Sequence, residues 1–184
     1  ANDWGMIKFD HCKATEWVLS QIGAIRRTVQ ENQVDSFDLL AEYMADCADA
    51  QVTVMHTVGQ KPQPDFGRMP RSDIRVRLDV FRKSAADPFD KGTMMVDRTH
   101  FRKWLSVRGA DYKTFKQELT EESALATPKS EKASLGKDTP TKLAQTYVIG
   151  FNLTHPRFQS LLENADVAAD DLAYGQLQVV KNDT

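Results

Sequence analysis

Basic and polar side chains suited to binding nucleic acid are concentrated between residues 101 and 119. Lysine and arginine bind phosphate oxygens, whereas tyrosine and glutamine can contact the edges of bases. The candidate nucleic-acid-binding side chains of this segment are Arg102, Lys103, Arg108, Tyr112, Lys113, Lys116 and Gln117. A solvated helix face without a ligand is the alternative interpretation of the same residues.

A second group of lysines lies in the polar segment 127–142. Its members are Lys129, Lys132, Lys137 and Lys142. The pair Gly136-Lys137 does not form a P-loop, because that motif needs an earlier glycine and a following serine or threonine, where this chain has Glu131 and Asp138. We expect no ATP hydrolysis. A basic loop that contacts a nucleic-acid backbone is one hypothesis, and a solvated flexible loop is the other.

The residue types that support catalysis or metal binding are not grouped in the sequence. Its histidines (His11, His56, His100 and His155) form no pair at helical spacing, and no Cys-x-x-Cys occurs. The Gly-x-Ser-x-Gly motif of hydrolases is also absent. We therefore expect no enzymatic activity, no metal site and no cofactor.

Cysteine content and hydropathy indicate in which cellular compartment the protein is expected. Cys12 and Cys47 are too few for a disulfide framework, which predicts a reduced, intracellular and cytoplasmic protein. The longest apolar run, near residues 147–153, is shorter than the roughly 18–20 residues of a membrane span. We expect no membrane association.

Charge is unevenly distributed along the 184 residues, although the net charge is only −2. Residues 68–145 contain 17 Lys and Arg against 11 Asp and Glu, whereas the segments on both sides are acidic. A basic block of this kind is typical of a phosphate-binding surface, so the near-neutral total does not exclude a nucleic-acid partner.

The N-terminal part of the chain is predicted to be helical up to a strand. Apolar residues at three- to four-residue spacing predict one helix over residues 15–32 and a second that begins at Asp35 or Ser36 and fades near Asp49. Residues 51–56 alternate and are β-branched, which indicates a strand. The Pro- and Gly-rich segment 59–73 predicts a linker between this N-terminal segment, 1–58, and a second domain, 74–163.

The predicted second domain contains strands around a pair of helices. Residues 74–81 alternate between apolar and charged side chains, so one face of this strand is apolar and the other charged. A short strand at 93–96 precedes a helix capped by Asp97, and Asp111 begins the next helix. A strand over 146–153 closes the domain, and an acidic tail, 164–184, follows.

The order strand, helix, helix, loop and strand predicts an α+β fold of the winged-helix type. Gly109 suits the left-handed residue of a helix-turn-helix, and the lysine-rich loop would be the wing. Arg108 stands where such motifs usually have an apolar residue, so the match is partial. Two amphipathic helices joined at a glycine also occur in folds with no DNA partner.

Four segments between residues 35 and 160 carry a family resemblance. They are Phe37-Asp-Leu-Leu-Ala-Glu-Tyr-Met with Val52-Thr-Val-Met, Pro70-Arg-Ser-Asp-Ile-Arg-Val-Arg, Phe101-Arg-Lys-Trp-Leu with the Tyr112–Leu119 helix, and Leu135-Gly-Lys-Asp-Thr-Pro with the 147–153 strand. Their order resembles the C-terminal module that follows the helicase motor in phage and mobile-element primase-helicases. The resemblance implies a winged-helix accessory module that engages DNA near a replication motor. Walker motifs are absent from this chain, which would then be a fragment or a free-standing relative.

The functional expectation is a DNA-binding accessory protein in the replication of a phage or mobile element. The DNA is duplex or single-stranded, and a helicase motor or another replication protein is a further expected partner. The alternative is a protein-interaction or oligomerisation module, in which the acidic N-terminal segment docks on a basic partner. The sequence does not distinguish DNA from RNA or define an oligomeric state.

Overall fold

The computed structural model describes residues 35–65, 73–127, 131–141 and 143–167, together with residues 15, 70 and 169. The described residues from Ser36 onward form one compact unit. Except for Thr15, which is helical, the predicted helix over 15–32 lies outside the described residues, as does Cys12.

The unit is built on a six-stranded mixed sheet with helices on one face. Its strands are β1 (Gln51–Thr57), β2 (Gln63–Pro64), β3 (Val76–Arg82), β4 (Lys91–Asp97), β5 (Glu131–Ala133) and β6 (Thr146–Asn152). Its helices are α1 (Ser36–Asp46), α2 (Arg98–Val107), α3 (Tyr112–Glu121) and α4 (159–167), the last preceded by a 3₁₀ turn, Pro156–Phe158. The strand order is β2-β1-β3-β4-β6-β5, and only β1 and β3 are parallel. The fold is α+β, as expected.

The helix boundaries follow the predicted caps. The Asp97 carboxylate accepts hydrogen bonds from the backbone N–H groups of Thr99 and His100, and Asp111 accepts from that of Thr114. Both aspartates satisfy donors that would otherwise lack a partner at a helix start. Gly109, between α2 and α3, has φ +71°, which is the predicted left-handed conformation.

The Pro- and Gly-rich loop connects two strands of one sheet. Strand β1 pairs in parallel with β3, from Gln51 opposite Val76 to Thr57 opposite Arg82. Parallel neighbours need a long crossover connection, and the segment between them, which includes β2, supplies it. The predicted boundary at 59–73 therefore does not separate two domains. At the C-terminus, residues 164–167 continue α4, and most of the predicted acidic tail lies outside the described residues.

The helix-covered face of the sheet is apolar. Every second residue of β3, namely Val76, Leu78 and Val80, packs with buried residues of the helices such as Phe101 and Leu119. Tyr43 lies at the centre of an aromatic group, with ring centroids 4.7 Å from Phe101 and 5.3 Å from Trp104. This face holds the main core and fixes the direction in which α2 presents its outer side.

The opposite face contains both apolar and charged buried residues. Val52, Val54 and Val148 pack with Leu135, which belongs to the loop after β5. The alternation of β3 places Arg77 and Asp79 on this face, where they are only 2% and 7% exposed. The prediction of one apolar and one charged face is confirmed, but the loop covers the charged face.

The helix pair has the predicted position in the chain, since β4, α2, α3, β5 and β6 follow one another. Three further strands extend the sheet beyond this segment. No helix in the described part of the chain is long and apolar enough to cross a bilayer.

Candidate functional site

The outer side of α2 is cationic. Phe101 and Leu105 are buried beneath the helix, and no Asp or Glu occurs between Arg98 and Val107. A surface groove of about 500 Å³ runs along this side, and its lining residues are Arg98, Thr99, Arg102, Lys103, Ser106 and Val107. Because Arg98 and Arg102 are four residues apart, they lie on the same side of the helix.

A tyrosine on the neighbouring strand lies beside two cations. Tyr147 of β6 is 44% exposed. The Arg98 Cζ atom lies 4.8 Å from its ring centroid, and the Lys132 Nζ atom lies 5.2 Å from it. Antiparallel pairing puts Lys132 of β5 directly opposite Tyr147, which explains the second contact. Both distances suit cation–π attraction.

A second cation–tyrosine contact continues the surface towards α3. The Arg102 Cζ atom lies 5.3 Å from the centroid of Tyr112, the first residue of α3. Tyr112 also packs against the main core, which fixes its ring. We call the whole set the cation–tyrosine surface: Arg98, Arg102, Lys103, Tyr112, Lys132 and Tyr147.

The positive charge of the cation–tyrosine surface is concentrated on α2, which contains Arg98, Arg102 and Lys103 and no carboxylate, whereas Glu131 is exposed next to Lys132 on β5. Asp97, next to Arg98, is buried, caps α2 and accepts a hydrogen bond of 3.3 Å from Arg75. The side chains of α2 itself are therefore cationic although the chain as a whole carries −2. Of the predicted residues, the structure brings Arg102, Lys103, Tyr112 and Lys132 to this surface.

Arg108 does not join the cation–tyrosine surface. Its guanidinium lies 3.7 Å above the Trp104 ring and donates hydrogen bonds of 2.8 Å to both Glu42 and Asp46 of α1. The hydrogen bond to Glu42 raises the pKa of Arg108, and a hydrogen bond from the Trp104 indole lowers the pKa of Asp46. The predicted phosphate ligand is thus neutralised by α1.

The outer side of α3 carries charges of both signs. Lys113 and Gln117 are exposed and Lys116 is half-buried. The Gln117 amide donates a hydrogen bond of 2.9 Å to Glu121, one turn further along. These predicted residues are on the surface, but their helix lacks the uniform positive charge of α2.

The predicted wing is held against the sheet. Leu135 is buried, and the backbone carbonyls of Leu135 and Lys137 accept hydrogen bonds from Arg77. The Lys137 side chain is exposed above this anchor. Lys129 and Lys142 lie outside the described residues.

Arg77 and Asp79 form a buried ion pair, and the half-buried His56 contacts the same aspartate. Arg77 Nε and Nη2 donate hydrogen bonds of 2.8 and 2.7 Å to the two oxygens of Asp79. His56 Nε2 lies 2.8 Å from Asp79 Oδ1, and its ring stacks on Phe81 at 4.4 Å. Asp138 of the loop lies 3.7 Å from Arg77. Because its Nη1 group bonds two loop carbonyls while Nε and Nη2 hold Asp79, Arg77 anchors the loop to β3.

The other described histidines take part in separate aromatic contacts. His100 Nδ1 is 2.9 Å from the Tyr43 hydroxyl, and burial lowers the pKa of this histidine. His155 stacks on Phe37 at 5.1 Å. Among the described residues, no three His, Cys, Asp or Glu side chains are grouped so that they could hold a metal ion. Cys47 is buried and free, and burial raises its pKa.

Two members of the surface, Arg98 and Tyr147, were missed by the sequence-based prediction. Arg98 has a local signal, since it follows the capping Asp97 and precedes Arg102 by one helical turn. Tyr147 has none, because its cations come from α2 and β5, which are distant in sequence. The strand register decides that contact.

Comparison of the chain with known protein families, with curated proteins and with solved structures finds no match.

Proposed function

We propose that the protein binds nucleic acid through the cation–tyrosine surface. The observation that carries the proposal is the arrangement of Arg98, Arg102, Lys103 and Lys132 around two tyrosine rings on one surface. Cations neutralise phosphates, and aromatic rings stack on bases. A solvated face needs no such pairing of cations with a partly exposed ring.

The proposal includes the winged-helix relationship and its biological setting. The α2–α3 pair with β5 and β6 is the counterpart of a helix-turn-helix with its wing. In this chain α2, rather than the second helix, supplies most of the charge. DNA as the ligand, an intracellular accessory role in phage or mobile-element replication, and a helicase motor as partner rest on the family resemblance.

The test is a binding titration of the full chain with labelled 20-nucleotide single strands and 20-base-pair duplexes at 50 and 200 mM salt. Four phosphate contacts give a salt slope of about 2.8 to 3.6, so the affinity is expected to fall roughly 50- to 150-fold between the two concentrations. Fluorescence anisotropy measures this change. No binding at 50 mM salt would contradict the proposal.

Charge reversal locates the binding surface. The double variant R102E/K103E should lose at least tenfold in affinity, because two attractive charges become repulsive. Lys61 in the β1–β2 loop and Lys83 directly after β3 are both exposed, and K61E/K83E, which changes the net charge by the same amount, provides the matched control. Equal losses in both variants would show that only the net charge matters and would contradict the assignment of the surface.

A protein-interaction module is the second candidate, and one observation favours it. Val107, at the C-terminal end of the groove, is 84% exposed. An exposed apolar side chain beside cations suits an acidic protein partner with an apolar anchor. Sedimentation velocity of the full chain and of the variant V107D tests for a homo-oligomer. Oligomers lost in V107D, without nucleic-acid affinity, would support this candidate.

A further inference from the structure

We infer that the cation–tyrosine surface takes a single strand rather than a duplex, with one unpaired base stacked on Tyr147. The inference rests on the proposed function and specifies its ligand. The recognised chemistry is a base face together with its phosphates, which single-stranded DNA and RNA share.

The setting of Tyr147 suits an unpaired base. Inside a duplex both faces of a base are covered by neighbouring bases, so an interior base can stack on a protein ring only when it is unpaired. Tyr147 is 44% exposed and lies on β6, next to the edge strand β5. Lys132 is exposed and has a flexible stem, so its ammonium can move from the ring to a phosphate when a base covers Tyr147.

The two elements that would engage a duplex contribute little to this surface. A helix-turn-helix places its second helix in the major groove. Here that helix, α3, carries charges of both signs, and Gln117 is bonded to Glu121. The candidate wing is tied to the sheet by Arg77 through Leu135 and Lys137. Apart from Tyr112 of α3 and Lys132 of β5, neither element adds a side chain to the cation–tyrosine surface.

Arg98 links the Tyr147 ring to the cations of α2. Arg98 contacts Tyr147 and lines the groove that contains Arg102 and Lys103. A strand with a base on Tyr147 can therefore lay its next phosphates along α2. Base stacking supplies an affinity that does not depend on sequence, and the cations supply its salt dependence.

The experiment compares oligothymidylate, oligouridylate and a duplex of equal length, each binding the full chain at 50 mM salt. Both single strands should bind more tightly than the duplex. The variant Y147A should weaken single-strand binding by about 5- to 150-fold, the range for one stacked base, and leave duplex binding unchanged. Y147F keeps the ring and should stay within about twofold of the parent.

The possible results distinguish a failure of single-strand stacking from a failure of nucleic-acid binding itself. If the duplex binds more tightly than either single strand, or if Y147A has no effect while R102E/K103E loses affinity, the inference is wrong and the proposed function stands. If no ligand binds, the proposed function itself fails. Thermal melting checks each variant. If Y147A does not fold, Y147L replaces it, because leucine keeps apolar bulk without a stacking face.

Discussion

On one face of the sheet, helices cover β3 with apolar side chains, and Tyr43, Phe101 and Phe115 form a continuous aromatic core. On the other face, a loop covers the same strand with only a small apolar group, and Arg77 and Asp79 are buried beneath it. Apolar packing needs only area and shape, whereas a buried ion pair is favourable only when its hydrogen bonds are complete. The two coverings should therefore fail in different ways when they are mutated.

The helix-covered face should show the largest loss of stability. Phe101 is fully buried and its ring contacts those of Tyr43, Trp104 and Phe115. The variant F101A should lower the free energy of unfolding by about 3–5 kcal/mol, because a large cavity replaces the ring. Urea denaturation measures the loss. F101L should lower the free energy of unfolding clearly less than F101A. Equal losses in the two variants would contradict the view that the loss comes from packing.

On the loop-covered face, the variant R77M should lower the free energy of unfolding by about 3 kcal/mol, because Asp79 is then buried without its main partner. Urea denaturation again gives the value. The double variant R77M/D79L removes both charges and should recover much of the stability. An additive loss in the double variant would show that the pair does not act as a unit.

In the same double variant, the loop should be held less firmly even though the free energy of unfolding recovers. The carbonyls of Leu135 and Lys137 lose their Arg77 donor in R77M/D79L. Trypsin should therefore cleave after Lys137 faster than in the parent, even where the free energy of unfolding has recovered. F101L provides the control, since its altered side lies under the helices. Unchanged cleavage would mean that Arg77 does not hold the loop.

The helix-covered face should also respond to pH through His100. Burial lowers the pKa of this histidine in the folded protein, so at mildly acidic pH the unfolded chain binds its proton more tightly. Stability should therefore fall as the pH drops below the ordinary histidine value of about 6.5 and stop falling below the lowered pKa. Thermal melting between pH 7.5 and 5 measures the slope. H100Q should flatten this slope, and an unchanged slope in H100Q would contradict its assignment to this residue.

The smallest expected effect concerns the turn that joins α2 and α3. Gly109 has φ +71° with open space around the position of a Cβ atom, so only backbone strain opposes a side chain. G109A should lower the free energy of unfolding by about 1 kcal/mol. G109N should lower it less, because asparagine tolerates this conformation. Urea denaturation resolves the two. A larger loss in G109N would point to an unrecognised contact.

Local signals in the sequence were sufficient for most elements of the fold. Asp97 and Asp111 identify helix starts because each satisfies backbone donors within three residues. The alternation over 74–81 identifies a strand and its two faces because successive side chains point in opposite directions. The parallel β1–β3 pairing had no local signal, since the Pro-rich loop between them is typical both of a linker and of a crossover.

For the candidate site, residue types and helical spacing were enough to predict the cationic side of α2, because Arg102 and Lys103 are exposed while Phe101 and Leu105 are buried. The tertiary structure sets which charges are paired or buried. It pairs Arg108 with Glu42 and Asp46, and it buries Arg77 under the loop. It also brings Lys132 and Arg98 to Tyr147. The reason is physical: residue type fixes a charge and helical spacing fixes a side, but the partner of a side chain is set by contacts between residues far apart in the chain.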